Sequence, residues 1–210
     1  MANQQRLGFW PVQSPYRFGL RKYTVVSGLT TGGGFPGIAP GEVVTPQADG
    51  TIIPYAAGGG ARVLGIVASV VYKDATGVKV YGGYLPDAYA YTGAQSILNP
   101  NAPIIEVWDD PNIEYMAQFA TDSGTPATEF NKVFTNMDVS STASATAVDT
   151  IFKRSNRTLT GTDGGTTATL PFRVLEIIRS PQQDYSATSF LRCKCVINAG
   201  VHPFTNTTGI

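Results

Sequence analysis

The chain has 210 residues, and its 15 Lys+Arg balance 15 Asp+Glu, so no global field steers it to nucleic acid or to an anionic membrane. Gly (23) and Pro (14) are abundant, Thr, Val, Ile and Tyr recur in short runs, and Leu, Lys and Glu are scarce, which favours strands and turns over helices. No apolar run approaches the roughly 18 residues that span a bilayer, and the start Met-Ala-Asn-Gln-Gln-Arg lacks the apolar stretch of a secretory signal, so the expected setting is a cytoplasm or something assembled there.

In chain order, the first 22 residues form a Gly/Pro-punctuated leader with too little periodicity to fold alone. The charged side chains up to residue 41 are Arg6, Arg17, Arg21 and Lys22, and among them stand Phe9, Trp10, Tyr16 and Phe18. Arginine and aromatic residues are what interface cores are enriched in, so residues 1–22 are expected to form an extended arm laid on a neighbour, followed by a β-rich domain over 23–210. The alternative is a leader that packs on its own domain.

Residues 23–27 are short, apolar and β-branched, and predict the first strand. Residues 42–45 and 51–54 flank Pro46-Gln-Ala-Asp-Gly50, whose Asp-Gly pair suits a hairpin turn. Residues 62–72 are nearly continuously apolar, with a bend expected at Gly65, and the turn at 74–77 leads into 78–81 as a second hairpin. Residues 103–108 and 112–119 are split by a turn at Asp109-Asp110-Pro111, and in the latter Ile113, Tyr115 and Ala117 alternate with Glu114, Met116 and Gln118. Between 126 and 134, Ala127, Phe130, Val133 and Phe134 follow a helical spacing, so one short helix is expected there.

Residues 140–147 read as a surface loop and 159–169 as a turn region. Residues 170–180 and 189–198 are the strongest strands, the last placing Leu191, Cys193, Cys195 and Ile197 on one face and Arg192 and Lys194 on the other. Turn signals recur without a βαβ rhythm. The fold class is therefore all-β, a single β-sandwich or partly closed barrel with an extended N-terminal arm and at most one short helix.

Residues equipped for catalysis are sparse. His202 is the sole histidine and lies in a terminal segment, so local hydrogen bonding or contact with a neighbouring subunit is its expected role. Cys193 and Cys195 lie two apart in a strand, their Cα atoms about 6 to 7 Å apart, too poorly disposed for a disulfide without distortion; they are expected to be free core thiols. Gly32–Gly34 and Gly58–Gly60 open neither phosphate-binding pattern and read as turns. Asp109, Asp110 and Glu114 have a spacing that suits Ca²⁺ or an acid–base pair, but Asp-Asp-Pro is also an ordinary solvated turn, which is the expectation here. No catalytic residues, metal or cofactor are expected.

The chain also resembles a family. Leu7-Gly-Phe-Trp-Pro-Val12 followed by Tyr16 is similar to the "GFRPV" opening of small head proteins of tailed phages, the capsid decoration or cement proteins. Val63-Leu-Gly-Ile-Val67 resembles an "ILGV"-type strand of that family, Asp109-Asp-Pro-Asn-Ile-Glu-Tyr-Met-Ala-Gln118 its "DDPD-x-x-(F/Y)-x-x-Q" segment, and Thr167-Ala-Thr-Leu-Pro-Phe-Arg-Val-Leu175 its "TA-x-LP-(L/F)-R-(I/V)-L" segment. The sequence departs from the pattern in its Thr/Ala insert around 140–147 and in ending "NAGVHPF" instead of an acidic "NEH".

The resemblance implies a virion structural protein on the outer head surface that stabilises the capsid. Its implied partners are the major capsid protein and itself, as a homotrimer or, second, a dimer, with neither nucleic acid nor membrane. The capsid contacts would come from Arg6, Phe9, Trp10, Tyr16, Arg17, Phe18, Arg21 and Lys22. Two other readings stand beside it: a tail or fibre component presenting Tyr84, Tyr89 and Tyr91 to a receptor, and a carbohydrate-active β-fold enzyme using Asp109, Asp110 or Glu114.

Overall fold

A computed structural model describes residues 8–13, 19–25, 37–58, 60–74, 76–86, 99–120, 130–140, 148–149, 153–160, 165–178 and 191–205. Its strands are β1 (Trp10–Gln13), β2 (Leu20–Tyr23), β3 (Val43–Pro46), β4 (Ile52–Pro54), β5 (Gly65–Lys73), β6 (Lys79–Tyr81), β7 (Ile104–Trp108), β8 (Glu114–Gln118), β9 (Asn136–Met137), β10 (Val148–Asp149), β11 (Arg154–Ser155), β12 (Phe172–Ile177) and β13 (Arg192–Ile197). One antiparallel sheet runs β1-β8-β13-β12-β9, a second runs β2-β7-β5-β3-β4 with β6 on the free end of β5, and β10 pairs with β11. The expected all-β sandwich is what the chain forms.

The apolar run after residue 62 belongs to a strand buried on both faces. Ile66 and Val43 point into the larger core shared with the first sheet, together with Tyr115, Phe119, Phe172, Cys193 and Cys195. Their chain neighbours Val67 and Val44 point the other way, into a second core with Val25, Ile38, Ile52, Val70, Leu85, Ile105 and Val107. That second core exists because the second sheet curls: the Thr24 carbonyl accepts the Ile52 N–H at 2.9 Å, and Val25 bridges Ile52. The curl stops short of a closed barrel and leaves the sandwich as the architecture.

Gly65 does not bend this strand but begins it, at a point where β5 and β7 touch. A Cβ there would lie 2.2 Å from the Trp108 carbonyl oxygen and 2.8 Å from a Val107 methyl, closer than any side chain permits. Both expected hairpins are present, β3–β4 around Gly50 and β5–β6 around an Asp74 whose Oδ1 accepts the Thr76 and Val78 N–H groups. The Asp109-Asp110-Pro111 turn does not make a hairpin. It carries the chain from β7 in the second sheet to β8 in the first, so it is a corner between layers.

Two expectations need correction. The strand expected at 23–27 is β2, which starts three residues earlier and ends at Tyr23, because its pairing with β7 sets Leu20 opposite Trp108 and Tyr23 opposite Ile105; β1 precedes it. Of the short helix expected between 126 and 134, residues 126–129, Ala127 among them, lie outside the described residues; Phe130 is helical and 131–134 form turns, with the Val133 N–H on the Phe130 carbonyl. The leader is the other correction. Phe9 is 0% exposed, its ring stacks on Phe172 at 4.6 Å, and its N–H donates to the Gly41 carbonyl at 3.1 Å.

Trp10 starts a strand of the first sheet and meets Trp108 edge-on at 6.2 Å. Phe9 therefore packs inside its own domain, and the half-buried Trp10 packs against Trp108, because a strand paired to β8 sets them at the junction of the layers. Pro11 fits an edge strand, which can spare an N–H. Residues 8–13 and 20–22 are integral to the two sheets, so excising 1–22 would remove strands from both rather than a dispensable arm. Arg6, Tyr16, Arg17 and Phe18 lie outside the described residues, as do the loop at 141–147 and Tyr89 and Tyr91.

Candidate interaction surface

Arg21 and Lys22 survive as exposed residues of the expected contact set, on edge strand β2 beside a Leu20 that is 47% exposed. Edge position and pairing with β7 bring Arg21 next to the corner that begins at Asp109. The Arg21 guanidinium reaches Asp109 at 3.2 Å, and the Tyr23 hydroxyl donates to the same carboxylate oxygen at 2.5 Å. Asp109 is only 2% exposed. The solvated turn expected for this segment is thus wrong at its first residue: Asp109 continues the alternation of Ile105 and Val107 and turns inward.

Burial pushes the Tyr23 phenol well up, and its hydrogen bond to the negative Asp109 pushes it further. The same carboxylate raises Arg21. Tyr23 therefore stays a donor and Arg21 a cation at any physiological pH, and Asp109 holds both in place.

The C-terminal turn completes the surface. The Arg21 guanidinium lies 4.6 Å from the centre of the Phe204 ring, which is itself 53% exposed. Phe204 is fixed from beneath by His202, whose Nδ1 accepts the Phe204 N–H at 3.2 Å and whose ring meets Phe204 edge-on at 5.3 Å. His202 forms the local hydrogen bond expected of it, but it is fully buried instead of lying in a loose tail. Packing of Val201 into the larger core and the bond from the Val63 N–H to the Val201 carbonyl pull it in.

With Nδ1 accepting, the neutral ring carries its proton on Nε2, which has no hydrogen-bond partner of good geometry. Burial holds the His202 pKa below the ordinary value, against the Leu64 and Asp109 backbone and the negative charges of Asp109 and Asp110, which favour protonation.

Asp110 accepts the Asn112 N–H and side-chain amide at 2.9 and 3.0 Å and so shapes the corner, while Glu114 sits half-buried on β8. The three carboxylates do not converge, and among the described residues no group of His, Cys, Asp and Glu is arranged to hold a metal ion. Cys193 and Cys195 are free and buried in the core. Burial pushes the Cys195 thiol well up, and the neighbouring Cys193 adds to it, which keeps that thiol protonated. Tyr84 is half-buried with the Lys153 ammonium 4.2 Å from its ring centre.

A second polar centre lies inside the molecule. Arg157 donates through Nε to Glu42 at 2.7 Å, and through its other nitrogens to the Tyr55 and Ser140 carbonyls at 3.2 and 3.3 Å. The remaining Glu42 oxygen accepts the Ser155 hydroxyl at 2.7 Å. This network ties β3 to the chain around β11 and is out of solvent's reach. Nothing in the sequence pattern singles out Arg157, which follows no alternating run.

No protein-family model, no curated protein and no solved structure matches this chain. Function therefore rests on the surface itself. A cation braced by a buried carboxylate, an aromatic ring under it and an exposed leucine beside it make the composition of a protein-binding patch.

Proposed function

We propose that this chain is a non-enzymatic virion structural protein that binds the outside of a tailed-phage head and stabilises the shell, as a decoration or cement subunit. The observation that carries the reading is the braced patch of Leu20, Arg21, Lys22 and Phe204. Its guanidinium is pre-oriented by Asp109, so docking freezes little additional side-chain freedom. The matching partner is an apolar surface rimmed by carboxylates, offered by the major capsid protein. The tailed-phage assignment comes from the sequence resemblance, and a sandwich tied internally by Glu42 and Arg157 suits a protein whose work is mechanical.

A ligand that binds only the assembled, expanded shell stabilises it by mass action, and repetition over a symmetric surface multiplies weak contacts into firm retention. The test is a head-binding assay followed by reconstruction of the particle. Density for this chain should lie on the outer head with β2 and the C-terminal turn against the shell, and Leu20→Asp combined with charge-reversing Lys22→Glu, two exposed positions that leave the Arg21–Asp109 pair intact, should release it with little change in melting temperature. Particles lacking the protein, or the charge-reversed variant binding undiminished, would overturn the proposal.

A further inference from the structure

Phe134 is the most exposed large apolar residue described, at 77%, and its backbone is left-handed, with φ of 66°. A bulky aromatic residue pays for that conformation in steric strain, and among the described residues nothing repays it by covering the ring. The backbone is nevertheless held: the Phe134 N–H donates to the Val174 carbonyl at 2.8 Å, and the Val174 N–H returns to the Thr135 carbonyl at 3.0 Å. The first sheet thus fixes a phenyl knob that points into solvent.

A groove of about 490 Å³ lies beside that knob, walled by Phe130, Val133, Leu175, Ile177 and Ile178. On its rim Glu176 and Lys194 form an ion pair at 2.9 Å, their side chains 57% and 34% exposed. Knob, hole, one negative and one positive charge therefore share a single patch. Such a patch is complementary to itself: a two-fold axis sets each ring over the other's groove and each Glu176 against the other's Lys194. A uniformly acidic or basic partner would match only one of the two charges.

We propose that two copies of this chain associate through this face, with Phe134 of each seated in the groove of the other. The face lies on the β12 side of the first sheet and the Arg21 patch on the edge of the second, so failure of head binding and failure of self-association are separate outcomes.

Sedimentation velocity of the full chain over a concentration series tests it. The wild type should reach the mass of a dimer. Phe134→Gly should weaken the dimer by about tenfold or more, while its melting temperature holds or rises, since glycine adopts this φ freely. Phe134→Asn, which also tolerates the left-handed region, should behave alike and guards against a fold defect peculiar to glycine. Glu176→Lys should weaken association, and Glu176→Lys with Lys194→Glu should restore it. A monomeric wild type, an assembly of any size that persists in Phe134→Gly, or a Phe134-dependent complex with a different protein in place of self-association would overturn the proposal.

Discussion

Replacing Arg157 by alanine strips the buried Glu42 carboxylate of its counter-charge and removes the guanidinium's hydrogen bonds to the Tyr55 and Ser140 carbonyls. Glu42 is 0% exposed, and burial already pushes its pKa up against the pull of Arg157. Without that pull the carboxyl must stay ionised with no counter-charge, met among the described residues by the Ser155 hydroxyl alone, or hold its proton to still higher pH. Breaking a buried pair by deleting one partner costs about 3–5 kcal/mol, a large share of the roughly 5–15 kcal/mol that holds a domain together.

The pH dependence follows from the direction of the shift. With the folded pKa of Glu42 above its unfolded value of 4.5, the protonated form favours folding at low pH and that benefit is lost as pH rises. The Arg157→Ala deficit should therefore be larger at pH 8 than at pH 5. Adding Glu42→Gln should recover stability at pH 8, because the amide carries no charge to strand. Urea unfolding followed through Trp10 and Trp108 fluorescence measures all of this, with an unchanged denaturant slope confirming the same transition. A deficit under about 1 kcal/mol at pH 8, or one that ignores pH, would refute the reasoning.

Gly65→Ala should destabilise by about 3 kcal/mol or more, measured by the same unfolding assay, because its Cβ meets the Trp108 carbonyl at 2.2 Å and that carbonyl cannot retreat without parting β5 from β7. Asp109→Asn should lower the Tyr23 pKa toward the ordinary phenol value, read from phenolate absorbance in an alkaline titration, and should weaken head binding by freeing Arg21. For His202 the folded pKa is lowered, so stability is complete above about pH 6.5 and declines as pH falls and the unfolded chain takes up the proton first. Thermal melts from pH 7 to pH 5 should show that decline in the wild type and a flatter profile in His202→Gln.

Alternation was readable wherever a strand has one dry face. Leu191, Cys193, Cys195 and Ile197 are buried and Arg192 and Lys194 are not, as their period-two pattern requires. The apolar run from Val63 declared a strand, though not that both its faces are buried, the second in a core enclosed by the sheet's own curl. Of the 126–134 spacing only the end is described, where Phe130 and Val133 line a groove and Phe134 faces solvent. Exposed-looking aromatics of the leader misled: Phe9 finds its partner in Phe172, far along the chain, and no local pattern encodes that contact. The Arg21 site was half legible, since its cations stood out while Asp109 and Phe204 join them only through the β2–β7 register and the C-terminal turn.

The two opening strands also set a timetable for the nascent chain. Trp10 pairs with Met116 and Leu20 with Trp108, so β1 and β2 must stay unpaired during synthesis until β7 and β8 have followed them. Until then Phe9 and Trp10 are apolar and uncovered, a period in which a chaperone or a crowded neighbour competes for them. A bulky fusion ahead of Phe9 would act on that interval, lowering the yield of folded protein while leaving the stability of the finished molecule untouched.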